Sequence, residues 1–100
     1  MLYQQGDVLI KRIEEVDLSK AEKLNHCILA EGEHTGHKHQ TDRNKAILYM
    51  LTGIMYLKVL ERAKILHEEH NPISLPEGLY KVDQVREYDH FLEEARKVED

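Results

Sequence analysis

The stretch Ala46-Ile47-Leu48-Tyr49-Met50-Leu51, Thr52-Gly53, Ile54-Met55-Tyr56-Leu57-Lys58-Val59-Leu60 decides the fold class. Two apolar runs, with aromatic and β-branched residues in both, flank a two-residue connection whose glycine suits a tight turn, so the segment reads as a β-hairpin. Its apolar content implies burial on at least one face. Upstream, Asp7-Val8-Leu9-Ile10-Lys11-Arg12-Ile13 gives a first strand, and Cys27-Ile28-Leu29-Ala30 gives another that runs into Gly32. Between them, Glu14 to Asn25 is strongly charged, with Val16, Leu18, Ala21 and Leu24 at loosely helical spacing, which fits a short surface helix or an ordered loop.

Downstream, Glu61-Arg62 reads as a turn into a strand over Ala63-Lys64-Ile65-Leu66-His67. Pro72 and Pro76 interrupt regular pairing, because neither can donate a ladder hydrogen bond. Pro76-Glu77-Gly78 then turns into a long strand, Leu79 to Tyr88, in which Tyr80, Val82, Gln84, Arg86 and Tyr88 share one face. Asp89 to Asp100 fits a helical turn through Phe91, Leu92, Ala95 and Val98, or a short edge strand. No repeat, linker or shift in composition marks a second domain, so residues 1–100 read as one all-β domain, a small barrel or sandwich.

The chain has 100 residues and a formal charge of -5. Such a charge argues against extended nucleic-acid binding through bulk electrostatics and points to small-molecule or protein partners. A lone cysteine, Cys27, forms no internal disulfide, and the start Met1-Leu2-Tyr3-Gln4-Gln5 has no signal-peptide pattern, so the expected setting is reducing and cytoplasmic. No run approaches the ~20 apolar residues of a membrane-spanning helix. Unpaired sheet edges leave room for a homodimer.

Chemistry concentrates in the histidines. Five of the seven lie in two clusters, Gly32-Glu33-His34-Thr35-Gly36-His37-Lys38-His39 and His67-Glu68-Glu69-His70. Imidazole is the commonest protein ligand for transition metals and the side chain that titrates nearest neutral pH. On an extended strand His37 and His39 point the same way while Lys38 faces outward. His34 joins them only if Gly36 breaks the alternation. His67 and His70 lie on opposite faces of an ideal strand and converge only if the chain bends towards Asn71-Pro72. The metalloprotease His-Glu-x-x-His motif is excluded, because it needs its histidines four apart and these are three apart.

Four imidazoles, His37, His39, His67 and His70, or three with a carboxylate, suit a divalent transition metal: Zn, Ni, Fe, Mn or Cu. Such an ion would activate water, with Glu69 or Glu33 as general base and His34 as a further catalytic candidate. The expected activity is hydrolysis or lysis of a small, phosphorylated or similar, substrate. Two other readings use the same residues. In one, the site is metal-free, histidines act as acid and base on a phosphodiester, and Lys38, Arg43 or Arg86 stabilises the anion. In the other, the histidines bind a metal, ligand or partner without catalysis, or are ordinary exposed side chains beside turns.

Other candidates carry less. Tyr49, Tyr56 and Tyr80 alternate with aliphatics and read as packing residues, and Cys27 as a buried structural thiol. Arg86-Glu87-Tyr88 fits a solvated strand end as well as a polar pocket, and His26 and His90 belong to neither cluster.

The two clusters, together with Asn71-Pro72-Ile73-Ser74-Leu75-Pro76-Glu77-Gly78-Leu79-Tyr80 and Arg86-Glu87-Tyr88, resemble a family of small uncharacterised proteins of bacteria and phages. That resemblance spans most of the chain and implies no particular activity. More distantly, His37-x-His39 followed by Pro76-x-Gly78 is similar to the two motifs of cupins, which implies a small β-barrel holding a metal through histidines. The cupin glutamate that follows the His pair has no counterpart here.

Overall fold

The structure, a computed structural model, describes residues 1–32 and 35–85. Among the described residues there is no helix, and the elements are β1 (Leu2–Gln5), β2 (Val8–Ile13), β3 (Glu22–Lys23), β4 (Ile28–Glu31), β5 (Lys38–Gln40), β6 (Ala46–Leu51), β7 (Ile54–Val59), β8 (Ala63–Ile65), β9 (Ile73–Leu75) and β10 (Gly78–Gln84). The central hairpin forms as its pattern requires. Leu51 pairs with Ile54 around Thr52 and Gly53, whose φ angles are 48° and 81°. Positive φ at both central residues is the two-residue turn whose twist matches the flanking strands.

The main sheet has the order β1-β2-β10-β7-β6-β3 and is antiparallel throughout. Two antiparallel pairs, β4-β5 and β8-β9, lie outside it. A single bridge links them: the Gln40 amide donates to the Leu66 carbonyl at 3.1 Å and the Leu66 amide to the Gln40 carbonyl at 2.8 Å. The sheets do not close into a barrel. Of the two expected architectures, the sandwich is the compatible one.

Alternation explains the core. Val8 and Ile10 of β2, Ala46 and Leu48 of β6, Leu57 and Val59 of β7, and Tyr80 and Val82 of β10 turn inward from the large sheet. Against them pack Cys27 and, from the small pairs, Leu29, Ala63, Ile65 and Leu75. Burying each large aliphatic contributes about 1.5–3 kcal/mol, so this one cluster dominates the favourable side of folding. Cys27 is a buried thiol whose Sγ–H donates to the Ala46 carbonyl at 3.3 Å. Tyr80 is fully buried and its hydroxyl donates to the Pro76 carbonyl at 2.7 Å. Tyr56 is buried and Tyr49 half-buried, as packing residues should be.

Several expected boundaries are corrected. The charged 14–25 segment holds no helix; its Glu22–Lys23 instead adds the edge strand β3 to β6. The first expected strand begins at Val8, because Gly6 and Asp7 form a turn to the unanticipated β1. Ile73–Leu75 pairs with β8 although prolines bound it, since three residues between prolines leave enough amides for a short ladder. The strand expected over 63–67 ends at Ile65, with Leu66 in the single bridge. Arg86, Glu87, Tyr88 and the expected helical turn or edge strand over 89–100 lie outside the described residues, as do Glu33 and His34. Among the described residues no helix is long and apolar enough to cross a membrane.

Candidate metal centre

The β1-β2 turn builds one wall of the site. Gln5 pairs with Val8, leaving Gly6 and Asp7 as the turn, with Gly6 at φ 59°. Gln5 is 3 % exposed, and its Nε2 donates to the carbonyls of Ile65 and Asn71, both at 2.9 Å. Those two acceptors fix the amide: reversed, its oxygen would face two carbonyl oxygens. Gln5 Oε1 therefore faces His39 Nδ1, at 2.8 Å, and can only accept. His39 must carry a proton on Nδ1, which leaves Nε2 with a free lone pair in the neutral ring.

His39 is 5 % exposed on β5. Burial first, and then the neighbouring His67, hold its pKa below the ordinary 6.5, against the opposing pull of Asp7. The neutral form is thus favoured, which is the form that ligates metals. His39 Nε2 lies 3.6 Å from Asp7 Oδ1, and Asp7 Oδ2 accepts from Gln84 Nε2 at 2.9 Å. Gln84 sits beside Asp7 because β10 pairs with β2, placing Gln84 opposite Val8.

The second cluster closes over this wall. After Leu66 the chain leaves the ladder and bends through 68–70, so the opposite-face restriction of a strand does not apply to His67 and His70. The His67 ring stacks on His39 with centroids 4.1 Å apart, meets His70 at 4.7 Å and His37 at 5.7 Å, while His39 and His70 are 5.9 Å apart. His70 comes so near the turn that a Cβ on Gly6 would lie 2.7 Å from its Nε2. His37 Nδ1 lies 3.2 Å from Glu69 Oε1. His67 Nδ1 accepts the Glu69 backbone N–H at 3.0 Å, so its proton is on Nε2. Glu68 accepts the Lys38 backbone N–H at 2.9 Å; that bond, followed by the one from its own backbone N–H, lowers its carboxyl pKa.

Asp7, His37, His39, His67, Glu69 and His70 line a cleft of about 180 Å³. Lys38, Gln40, Leu66, His67 and Glu68 border an adjoining hollow of about 260 Å³. Strand alternation thus holds around β5, with His37 and His39 towards the cleft and Lys38 away from it. Gly36 has φ 72° and so provides a bend, but His34 and Glu33, which it was to redirect, are outside the described residues. Arg43 is exposed and lines neither space. One ligand atom from each of His37, His67 and Glu68 falls within 4.8 Å of the others.

Sequence reasoning missed Gln5, Asp7, Gln84 and Glu68 as site residues. Glu68 carries a local signal, its place between His67 and His70 in the second cluster, and Asp7 a weaker one, a Gly-Asp pair before an apolar run that reads equally well as the start of a strand. Gln5 and Gln84 are polar residues on strand ends whose roles depend on pairing across the sheet.

Neither curated proteins nor solved structures provide a match to this chain. The match to a protein family covers residues 4–85, and this stretch contains the cleft from Asp7 to Gln84. The chain belongs to the family described as Domain of unknown function (DUF8820).

Proposed function

We propose that the cleft holds a divalent transition metal, Zn, Ni, Fe or Mn, and that the protein is a small metal-dependent hydrolase or lyase. The observation that carries this reading is the convergence of His37, His39, His67 and His70 from two separate segments. Imidazoles on one ion have ring centroids about 3.2 Å from it, a bond of about 2.0 Å plus the ring radius, hence about 5 Å from one another at tetrahedral angles. The separations of 4.7, 5.7 and 5.9 Å lie near that value, whereas the stacked rings of His39 and His67, at 4.1 Å, are closer than two imidazoles on one ion.

An ion held there by the cluster histidines would supply an activated water near neutral pH. Glu69, exposed at the rim beside His37, serves as general base. The cleft, about 180 Å³, is smaller than the usual drug-sized pocket of roughly 300–1,000 Å³, which suits a small substrate. A phosphorylated one would find the Lys38 ammonium at the adjoining hollow. The reducing cytoplasm is the setting in which Cys27 stays a thiol.

A second reading, metal-free acid–base catalysis on a phosphodiester, is favoured by the stacking of His39 on His67 with centroids 4.1 Å apart, which sets two imidazoles side by side, one to act neutral as base and the other protonated as acid. Elemental analysis of protein purified without a His tag separates the two. Stoichiometric metal, with stability lost on chelation, supports the metal reading; no metal and unchanged stability overturn it.

A further inference from the structure

We propose that the hollow between β8 and the 42–45 turn binds the phosphate monoester group of a small substrate as a handle, leaving the substrate's other end to reach His67. The anion site stands apart from the metal reading above; the reach to the histidines rests on that reading and names its substrate class.

The hollow measures about 480 Å³ and is walled by Asp42, Lys45, Arg62, Lys64, Leu66 and Ser74. It falls within the usual range of ligand pockets, roughly 300–1,000 Å³, which the histidine cleft of about 180 Å³ does not reach. Strand geometry builds it. Ala63 and Ile65 turn into the core, so Arg62, Lys64 and Leu66 project from the opposite face, and Ser74 of β9 lies across from Lys64. The Lys45 carbonyl accepts the Leu60 amide at 2.8 Å and the Glu61 amide at 3.4 Å, which brings the 42–45 turn beside Arg62.

Charge names the ligand. The chain has a formal charge of -5, yet three cations border this hollow against the single carboxylate of Asp42, whose Oδ1 already accepts the Asn44 amide at 2.8 Å. Among the described residues none of Lys45, Arg62 and Lys64 has a carboxylate within ion-pair distance. Arg62 is held in place: its Nη1 donates to Ser74 Oγ at 2.9 Å, which leaves the other guanidinium N–H groups and the Ser74 hydroxyl proton for an oxyanion. A phosphate monoester presents three terminal oxygens to these three cations. Lys38, at the adjoining hollow, suits it less, because Glu31 already lies 3.8 Å from its Nζ.

Leu66 sets the direction. Its side chain, 49 % exposed, borders both this hollow and the one that His67 lines, and so offers a resting place for an apolar body between them. Lys64 and His67 are three residues apart, at most about 11 Å of chain. A single-ring phosphate ester spans that reach, with its phosphate held away from the histidines and its reactive bond beside them.

The test is titration of chelator-treated protein with phenyl phosphate at pH 7.5, followed in ¹H–¹⁵N spectra. A probe of this size should bind with a millimolar Kd or tighter, shift the amides of Lys45, Ser74 and residues 62–66, and show nuclear Overhauser contacts from its ring to the Leu66 methyls. Arg62→Gln should weaken binding at least ~10-fold, the loss expected for a charge-assisted hydrogen bond. Lys58→Gln, which alters an exposed lysine of the large sheet, should stay within about twofold of wild type. The wild type alone supplies a second check: its affinity should fall as NaCl is raised, and phenol, with the same ring and no anion, should leave these amides in place. Shifts confined to the histidine cleft, ring contacts away from Leu66, undiminished binding by a natively folded Arg62→Gln variant, or an equal response to phenol would each overturn the inference. Because the titration is free of metal, its failure leaves the metal reading standing, and a protein that takes up no metal leaves the anion site standing.

Discussion

Replacing Gln5 tests the brace behind His39. Gln5→Leu removes the acceptor for His39 Nδ1–H and the donor for the Ile65 and Asn71 carbonyls. The Asn71 carbonyl is only partly buried and can take a water, so it adds little. The other two groups lose their partners inside the protein. At about 1–3 kcal/mol for each buried group left unsatisfied, less about 1 kcal/mol returned by the apolar leucine, the loss is about 1–5 kcal/mol. That is a large fraction of the roughly 5–15 kcal/mol that holds a typical domain together.

Urea unfolding at pH 7.5 with chelator, followed by circular dichroism, measures it. With a slope near 1 kcal/mol per molar, typical of a small domain, the midpoint should fall by about 1 M or more. Gln5→Glu sharpens the result, since the introduced carboxylate can accept from His39 but sets an oxygen against two carbonyls. In the folded variant this carboxyl would have a pKa above its unfolded value of about 4.3. Its contribution is therefore fully present below about pH 4.3, and is lost as pH rises through the raised folded value. Relative to Gln5→Leu, the Gln5→Glu variant should be more stable in acid and surrender that advantage towards neutrality. A Gln5→Leu loss under about 1 kcal/mol, or a Gln5→Glu variant as stable as wild type at pH 7.5, would refute the amide orientation on which the His39 tautomer depends.

Thr52 sits at φ 48°, a costly conformation for a β-branched residue, so Thr52→Asn should raise the urea midpoint by a stability gain of up to about 1 kcal/mol, and a lower midpoint would contradict the turn assignment. Burial raises the Cys27 thiol above its ordinary pKa, so a disulfide reagent at pH 8 should label it only as fast as the protein unfolds; rapid labelling of the native state is the contrary result. Tyr80→Phe should cost about 1 kcal/mol at pH 7.5 through its lost bond to Pro76. Burial, chiefly, raises the folded pKa of Tyr80 above its ordinary 10.0, so its contribution is complete below that pH and fades as pH climbs through the raised value. Urea midpoints at pH 7.5 and 10.5 should therefore differ less for the variant than for wild type.

The hairpin over 46–59 is readable because its side chains and its Thr-Gly connection agree on one geometry. Leu2–Gln5 is not, because a four-residue edge strand with two glutamines carries almost no apolar alternation; only pairing with β2 makes it a strand. The 14–25 segment misleads through spacing, since apolar residues three apart also occur in a loop that dips against a sheet. Leu24 does so, half-buried against the core, and its amide bonds the Leu48 carbonyl. At the site, the His37 and His39 pair follows from period 2 alone. Asp7 and Gln84 do not, because they are 77 positions apart and meet only when β10 lies beside β2. The role of Gln5 is likewise a product of closure: its amide is buried by β8 and the 71 loop, neither of which its own strand foretells.

Anomalous diffraction from crystals grown with Co²⁺ tests most directly the proposal that the cleft holds a transition metal. One strong peak is expected among the cluster histidines, about 2.0–2.2 Å from the ligating imidazole nitrogens. No peak in the cleft at full Co²⁺ loading would contradict it.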